Sequence, residues 1–145
     1  MTERRKARLR LFLRLLLIVT LCFIWGNSMQ DKAESANISG GVTEWLRSIG
    51  IPVTDHVVRK TAHFCEFGLL GSELMLLFWL RSGLSFQNLC NSAFAALLSA
   101  VTDETIQLFV GRDGMVQDVV LDFSGALTGI LLVGLVVRLI EKRKN

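Results

Sequence analysis

The chain has 145 residues, a length typical of a single domain. Apolar residues make up 51% of it and its mean hydropathy is +0.46, which argues against an ordinary water-soluble domain and favours a membrane protein. The net charge of +3 comes with no basic patch containing interleaved aromatic residues, so the composition argues against a nucleic-acid partner.

Four apolar stretches are long enough to span a membrane, since about 20 mostly apolar residues cross a bilayer. We therefore predict an all-α integral membrane bundle of four transmembrane helices, forming one domain over residues 1–145. The predicted helices cover approximately residues 9–26, 54–80, 89–110 and 118–140.

The first predicted span follows a basic start and resembles the beginning of a signal peptide. Gly26-Asn27-Ser28 even offers small residues at a cleavage position. The bulky residues Phe23 and Trp25 instead suit an anchor at the membrane interface, and we favour an uncleaved first helix.

Basic residues cluster at both ends of the chain, and positive residues beside spans mark the cytoplasmic side. We expect both termini to be cytoplasmic, which agrees with an even number of spans. The clusters are Arg4, Arg5, Lys6, Arg8, Arg10 and Arg14 at the start, and Arg138, Lys142, Arg143 and Lys144 at the end.

The segment between the first two spans is expected to be extracytoplasmic. It is polar and contains glycine from Asn27 to Gly41. From Thr43 to Gly50 it places Trp45, Leu46 and Ile49 on one helical face. This pattern fits either a short helix on the outer leaflet or an ordinary loop.

Ionisable residues occur inside the apolar runs, where a charge at a helix centre costs roughly 3 kcal/mol and usually marks a site. At the helical period of 100° per residue, several residues of the second span fall within an arc of roughly 80° and so form one stripe along the helix. That stripe contains Arg59, His63, Glu66, Leu70 and Glu73.

The last two spans carry stripes of their own. In the third, Asp103 and Gln107 share a face with small residues, whereas Glu104 lies about 100° away. In the fourth, Asp118 and Asp122 share a face with Gly125 and Gly129, whose spacing permits close packing between helices of this chain. The small residues of the third stripe are Ala96, Ser99 and Ala100.

Successive spans run in opposite directions, so acids early in the second and fourth spans meet acids late in the third. At 1.5 Å per residue, Glu66, Asp103 and Asp122 each lie roughly 5 to 12 Å below the outer surface. We therefore predict a polar site facing the outer leaflet, with Glu73 nearer mid-membrane and outside the cluster. A satisfied polar core without a function is the alternative.

The residue types leave the chemistry of this cluster open. His63 with several carboxylates suits either a divalent cation or proton transfer. Arg59, Lys60 and Arg112 go against the positive-inside rule, and they suit either phosphate binding or pairing with the acids. For Arg112 the partners in reach would be Asp103, Asp118 or Asp122. The candidate catalytic residues are His63, Glu66, Asp103, Glu104 and Asp122, and the candidate substrate-binding residues are Arg59, Lys60, Gln107, Arg112 and Asp118.

Three motifs in this region resemble the VanZ-like family of bacterial membrane proteins. They are RKTAHFCEFG at Arg59–Gly68, DETIQLFVGR at Asp103–Arg112 and DVVLDFSG at Asp118–Gly125. The family is named for an accessory protein of glycopeptide resistance associated with teicoplanin. The resemblance implies a bacterial plasma membrane and a cell-envelope role, and it implies neither a reaction nor a cofactor.

Two classes of function are compatible with these features. One is a lipid-binding envelope factor that lowers glycopeptide susceptibility; the other is a membrane enzyme acting on a lipid-linked or anionic envelope substrate. The expected partners are membrane lipids or a lipid-linked envelope component, and a homo-oligomer is compatible with the sequence. A coupled transporter is less favoured, because no inverted repeat is evident.

Overall fold

In a computed structural model, residues 2–112 and 114–143 are described, and their regular secondary structure is entirely α-helical. The all-α prediction is confirmed. Lys144, part of the basic C-terminal cluster, lies outside the described residues. The helices are α1 (Glu3–Ser28), α2 (Lys32–Ser48), α3 (Asp55–Ser82), α4 (Phe86–Phe109) and α5 (Val116–Lys142).

Helix α2 corrects the expectation for the segment after the first helix. The sequence indicated at most a short helix from Thr43 to Gly50, yet α2 already begins at Lys32. The Asp31 side chain caps it by accepting hydrogen bonds from the backbone N–H groups of Ala33 and Glu34 at 2.8 and 2.9 Å. A good N-cap contributes about 1 kcal/mol, which helps a helix to extend through glycines.

One face of α2 carries an exposed apolar stripe, which extends the amphipathic pattern seen in the sequence. The stripe consists of Ile38, Val42, Trp45 and Ile49, at helical spacing. On the neighbouring face, Ser39 and Thr43 are buried, and α2 packs against α3. Such a helix suits a position in a membrane interface.

Contacts at the helix ends fix the directions of the long helices. Lys60 pairs with Asp118 near the start of α3 and α5, and Trp79 Nε1 donates to Glu141 Oε1 at 2.9 Å near their ends. Helices α3 and α5 are therefore parallel. Helix α4 joins the end of α3 to the start of α5 and packs on both.

Helix α1 runs antiparallel to α3, as two hydrogen bonds show. Asn27 Nδ2 donates to Glu66 Oε1 at 3.4 Å, and one to two turns earlier Thr20 Oγ1 donates to Glu73 Oε1 at 2.9 Å. The end of α1 thus lies beside the first half of α3.

Glycines let α3 and α5 approach along their backbones. A Cβ added to Gly129 would collide with the carbonyl oxygen of Gly68, and one added to Gly125 would collide with that of Phe64. On the α3 side, Gly71 lies equally close to the Ala126 carbonyl. The expected packing role of Gly125 and Gly129 within the chain agrees with this geometry, which we call the glycine seam.

The interior is small and the outside is apolar. Phe67, Leu70 and Met75 of α3 pack with Ala96 and Ala100 of α4, and all five are fully buried. Large apolar side chains cover the outer faces of the bundle, as a lipid environment requires. The three cysteines, Cys22, Cys65 and Cys90, are also exposed.

Three of the described helices are long and apolar enough to cross a membrane: α1, α3 and α5. Helix α4 has a comparable length of 24 residues but carries polar side chains along it, including Asn88, Asp103 and Glu104, and does not reach the same mean hydropathy. The chain is therefore a helical membrane protein.

The glycine seam predicts that Gly129→Ala destabilises the protein, because the added methyl group must push two backbones apart. Yield and melting temperature in detergent should both fall. Gly134→Ala in the same helix is the matched control: its Cβ would meet only Leu89 Cδ2 at 3.6 Å, an ordinary contact. Because alanine favours helix by about 1 kcal/mol over glycine, this control should melt no earlier than wild type. Equal melting of both variants would contradict the seam.

Candidate functional site

Three side chains from three helices meet where α3 and α5 begin. His63 Nδ1 of α3 lies 3.5 Å from Asp122 Oδ1 of α5 and 3.9 Å from Asp103 Oδ2 of α4. Both aspartates are completely buried, and His63 is partly buried. We call these three residues the His–Asp centre.

The fold places each member of the centre by close helix packing. Phe64, the neighbour of His63, contributes the carbonyl that meets Gly125, and Gly125 lies one turn after Asp122. The glycine seam therefore holds His63 against Asp122. Asp103 reaches the same point because Ala96 and Ala100, on its face of α4, are small and fully buried.

Asp103 is held by two hydrogen bonds from different helices. Ser28 Oγ, the last residue of α1, donates to Asp103 Oδ1 at 2.5 Å. Gln107 Nε2, one turn further along α4, donates to Asp103 Oδ2 at 2.9 Å. These bonds fix the carboxylate and leave lone pairs directed at the centre.

Asp122 has a different environment. Both of its carboxylate oxygens are buried, and neither has a hydrogen-bond partner among the described residues. A buried unpaired carboxylate is costly, and a native protein retains such a group for a reason.

Two further candidate residues lie beside the centre. Glu66 accepts the bond from Asn27 and faces the end of α1. Glu104 Oε1 accepts a hydrogen bond from the backbone N–H of Met115 at 2.6 Å, which ties α4 to the start of α5. Glu73 lies deeper in the bundle with Thr20 and is separate from the centre.

A cavity of about 140 Å³ opens above the centre, large compared with the space that one water needs. His63 and Asp122 form part of its wall together with Gln107. Its remaining walls are rich in basic side chains. The lining residues that carry charge or titrate are Lys32, His56, Arg59, Lys60, His63, Arg112, Asp118 and Asp122.

Arg112 does not pair as the sequence suggested. Lys60 pairs with Asp118, and among the described residues no carboxylate lies within ion-pair distance of either Arg112 or Arg59. Burial lowers the pKa of the Arg112 guanidinium, and the nearby charge of Arg59 lowers that pKa further. The mouth of the cavity therefore holds two neighbouring guanidinium groups that form no ion pair with an acid of the described residues.

The family model described as VanZ/LLP1 matches residues 12–137. The chain belongs to the VanZ/LLP1 family. The match covers most of α1 and extends into the last turns of α5, so it includes every candidate site residue. No curated protein and no solved structure shows a significant match to the chain.

In this VanZ/LLP1 protein, the sequence did not reveal that α1 contributes to the site. Gly26-Asn27-Ser28 suggested a cleavage position, yet Asn27 and Ser28 bond to Glu66 and Asp103. The available indication was depth, because the end of the first span lies at the same level as the acids. Lys32 of the cavity wall was missed because it lies outside the predicted spans, and His56 was missed because it precedes the stripe that starts at Arg59.

The Ser28–Asp103 bond predicts that Ser28→Ala destabilises the bundle. Removing one partner of a buried hydrogen bond to a charged group costs about 1–3 kcal/mol. Ser99→Ala is the matched control, because Ser99 Oγ bonds only within its own helix, to the Ala95 carbonyl at 3.0 Å. Thermal melting in detergent should show a clear loss for Ser28→Ala and little change for Ser99→Ala. Equal melting temperatures would show that α1 does not anchor Asp103.

Proposed function

We propose that this VanZ/LLP1 protein spans the plasma membrane four times and binds a phosphate-bearing headgroup at a polar site that faces the outer leaflet. The headgroup belongs to a membrane lipid or to a lipid-linked component of the cell envelope. The observation that carries the proposal is the pair Arg59 and Arg112, two guanidinium groups in one cavity mouth that form no ion pair within the described part of the chain.

The parallel arrangement of α3 and α5 supports four spans. Both helices are long and apolar enough to cross a bilayer, and they cross in the same direction. The connecting α4 must then return across the whole membrane. Its 24 residues measure about 36 Å, which exceeds the roughly 30 Å of a hydrocarbon core. Its acids are tolerated because they face the bundle interior.

The charges at the chain ends support cytoplasmic termini and an outward-facing site. The basic residues in the first half of α1 and at the end of α5 lie at the end of the bundle opposite the His–Asp centre. With this orientation α2 lies on the outer side, where its apolar stripe suits insertion into the outer leaflet.

The cavity mouth is suited to a phosphate group. Guanidinium groups bind phosphate oxygens with two parallel hydrogen bonds, and their mutual repulsion is relieved by an anion between them. Lys60, although paired with Asp118, adds a third positive group at the same wall. The exposed apolar faces of the helices would accommodate the acyl or prenyl chains of such a ligand.

We also propose a link to glycopeptide susceptibility, which the resemblance to the VanZ-like family implies. We propose that holding an envelope headgroup changes the access of teicoplanin to the envelope. Cells producing the protein should then differ in teicoplanin susceptibility from cells producing Arg112→Gln at the same abundance.

An enzymatic role on the same headgroup is the second candidate, favoured by the position of His63. Its Nδ1 lies within 4 Å of two buried carboxylates and its side chain lines the cavity. A histidine held in this way can transfer a proton to or from a bound ligand. Turnover of the headgroup, lost in His63→Ala, would distinguish the enzyme from a binding factor.

The headgroup proposal predicts that the purified protein binds a polyprenyl phosphate more tightly than the polyprenyl alcohol of equal length. Arg59→Gln and Arg112→Gln should each weaken phosphate binding about tenfold or more, since a charge-assisted hydrogen bond contributes about 1.5–3 kcal/mol. Titration in detergent or nanodiscs measures both affinities.

Arg81→Gln is the matched control, because this exposed arginine lies at the opposite end of α3 and should leave binding unchanged. Equal affinity for phosphate and alcohol would contradict the proposal, and so would wild-type affinity in Arg112→Gln. Binding of phosphatidylglycerol in place of the polyprenyl phosphate would identify a membrane lipid as the ligand.

The topology predicts different labelling of two exposed helical positions. In a protein with Cys22, Cys65 and Cys90 replaced by alanine, an Asn37→Cys variant should react with an impermeant maleimide on intact cells. A Gln87→Cys variant, at the start of α4, should react only after the membrane is opened. The reverse pattern would overturn the orientation, and labelling of both on intact cells would overturn the return of α4 across the membrane.

A further inference from the structure

We propose that the His–Asp centre binds one divalent transition-metal ion, with His63 Nδ1 and one oxygen each of Asp103 and Asp122 as ligands and with Zn²⁺ as the probe. The inference deepens the proposed function and rests on it for the ligand that completes the coordination. The metal would lie at the floor of the cavity whose mouth carries Arg59 and Arg112.

The distances within the centre fit metal ligands better than hydrogen-bond partners. The separations of 3.5 and 3.9 Å from His63 Nδ1 to the two carboxylates are too long for good hydrogen bonds. Two ligands of a tetrahedral Zn²⁺, each about 2.0–2.1 Å from the metal, lie roughly 3.3 Å apart. The three ligand atoms all lie within 4.8 Å of one another, so small side-chain rotations would bring them to this spacing.

The unpartnered carboxylate of Asp122 is the independent observation that points to a cation. Its side chain is completely buried, it borders the cavity, and neither oxygen has a hydrogen-bond partner in the described part of the chain. Other buried acids of the bundle have at least one donor: Thr20 for Glu73, and the backbone of Met115 for Glu104. Asp122 is thus a carboxylate positioned to bind something that the protein itself does not supply.

Charge balance leads to the same conclusion. Two ionised aspartates carry a charge of −2, and His63 in its protonated form would compensate only half of it. One divalent cation with a neutral histidine brings the centre to zero, and buried charges in a membrane bundle are expected to be compensated.

The surroundings provide what a metal site needs beyond its ligands. Ligating carboxylates are normally oriented by hydrogen bonds of their own. Ser28 and Gln107 do this for Asp103, each on a different oxygen. Three protein ligands leave a fourth position, and here it opens toward the cavity. A phosphate oxygen held between Arg59 and Arg112 is well placed to occupy it.

The ligand set decides the class of metal. Imidazole nitrogen favours zinc and other transition metals, whereas Mg²⁺ and Ca²⁺ prefer oxygen ligands alone. We therefore expect Zn²⁺ to bind and Mg²⁺ to compete poorly.

The test measures Zn²⁺ binding to protein purified in detergent and freed of metal by a chelator. The cysteine-free variant is used so that exposed thiols do not bind zinc. Equilibrium dialysis followed by metal analysis should give one Zn²⁺ per chain, and Zn²⁺ should raise the melting temperature. Asp122→Asn and His63→Ala should each weaken binding at least tenfold.

Glu73→Gln is the matched control, because Glu73 is a buried acid of the same bundle away from the centre. It should bind Zn²⁺ as the parent protein does. The proposal is overturned if the parent protein binds no Zn²⁺, if Asp122→Asn binds it equally well, or if Mg²⁺ displaces it at equal concentration.

The two proposals fail in different ways. Arg59→Gln and Arg112→Gln remove no metal ligand, so these variants should bind Zn²⁺ at least as tightly as the parent while losing phosphate. Zn²⁺ binding without any polyprenyl phosphate binding would refute the headgroup proposal alone. Phosphate binding that depends on the arginines, with no Zn²⁺ bound, would refute the metal site alone.

Discussion

The backbone contact between α3 and α5 is the constraint on which the rest of the structure depends. Gly71, Gly125 and Gly129 lack the side chains that would otherwise separate the two helices. In a bilayer, where burying apolar surface gives little drive for association, such contact is a main source of helix packing. It fixes two parallel helices in register and thereby places His63 opposite Asp122. The same contact that forms the fold also forms the site.

The second constraint is that buried acids need partners. In this bundle, most of the acids are bonded by a residue from another segment. Thr20 bonds Glu73, Asn27 bonds Glu66, Ser28 bonds Asp103, and Lys60 pairs with Asp118. Three of these four partners lie on α1. A helix that resembles a simple membrane anchor therefore also keeps the acids in place, and its removal would leave several buried acids without their donors.

Most of the fold and the core of the site follow from the sequence, because both depend on periodicity and depth. The stripe containing His63, the face of Asp103 and Gln107, and the face of Asp122 and Gly125 are local patterns, and alternating directions bring them to one level. One feature could not be predicted from the sequence, because it depends on contacts between residues that are distant along the chain. Whether Arg112 pairs depends on Lys60 having taken Asp118. The early start of α2 depends on the cap at Asp31, which lies well before the short helix considered at Thr43–Gly50.

The contrast between the two buried aspartates distinguishes structural groups from functional ones. Asp103 joins α1 to α4 through Ser28 and Gln107, so its carboxylate contributes to the fold as well as to the centre. Asp122 accepts no hydrogen bond from the described residues, and His63 Nδ1 is its ionisable neighbour at 3.5 Å. In the proposed metal site, this buried charge is kept for the ion at the expense of stability. Loss of function in Asp122 variants can therefore be attributed to the site, whereas the same loss in Asp103 variants combines two causes.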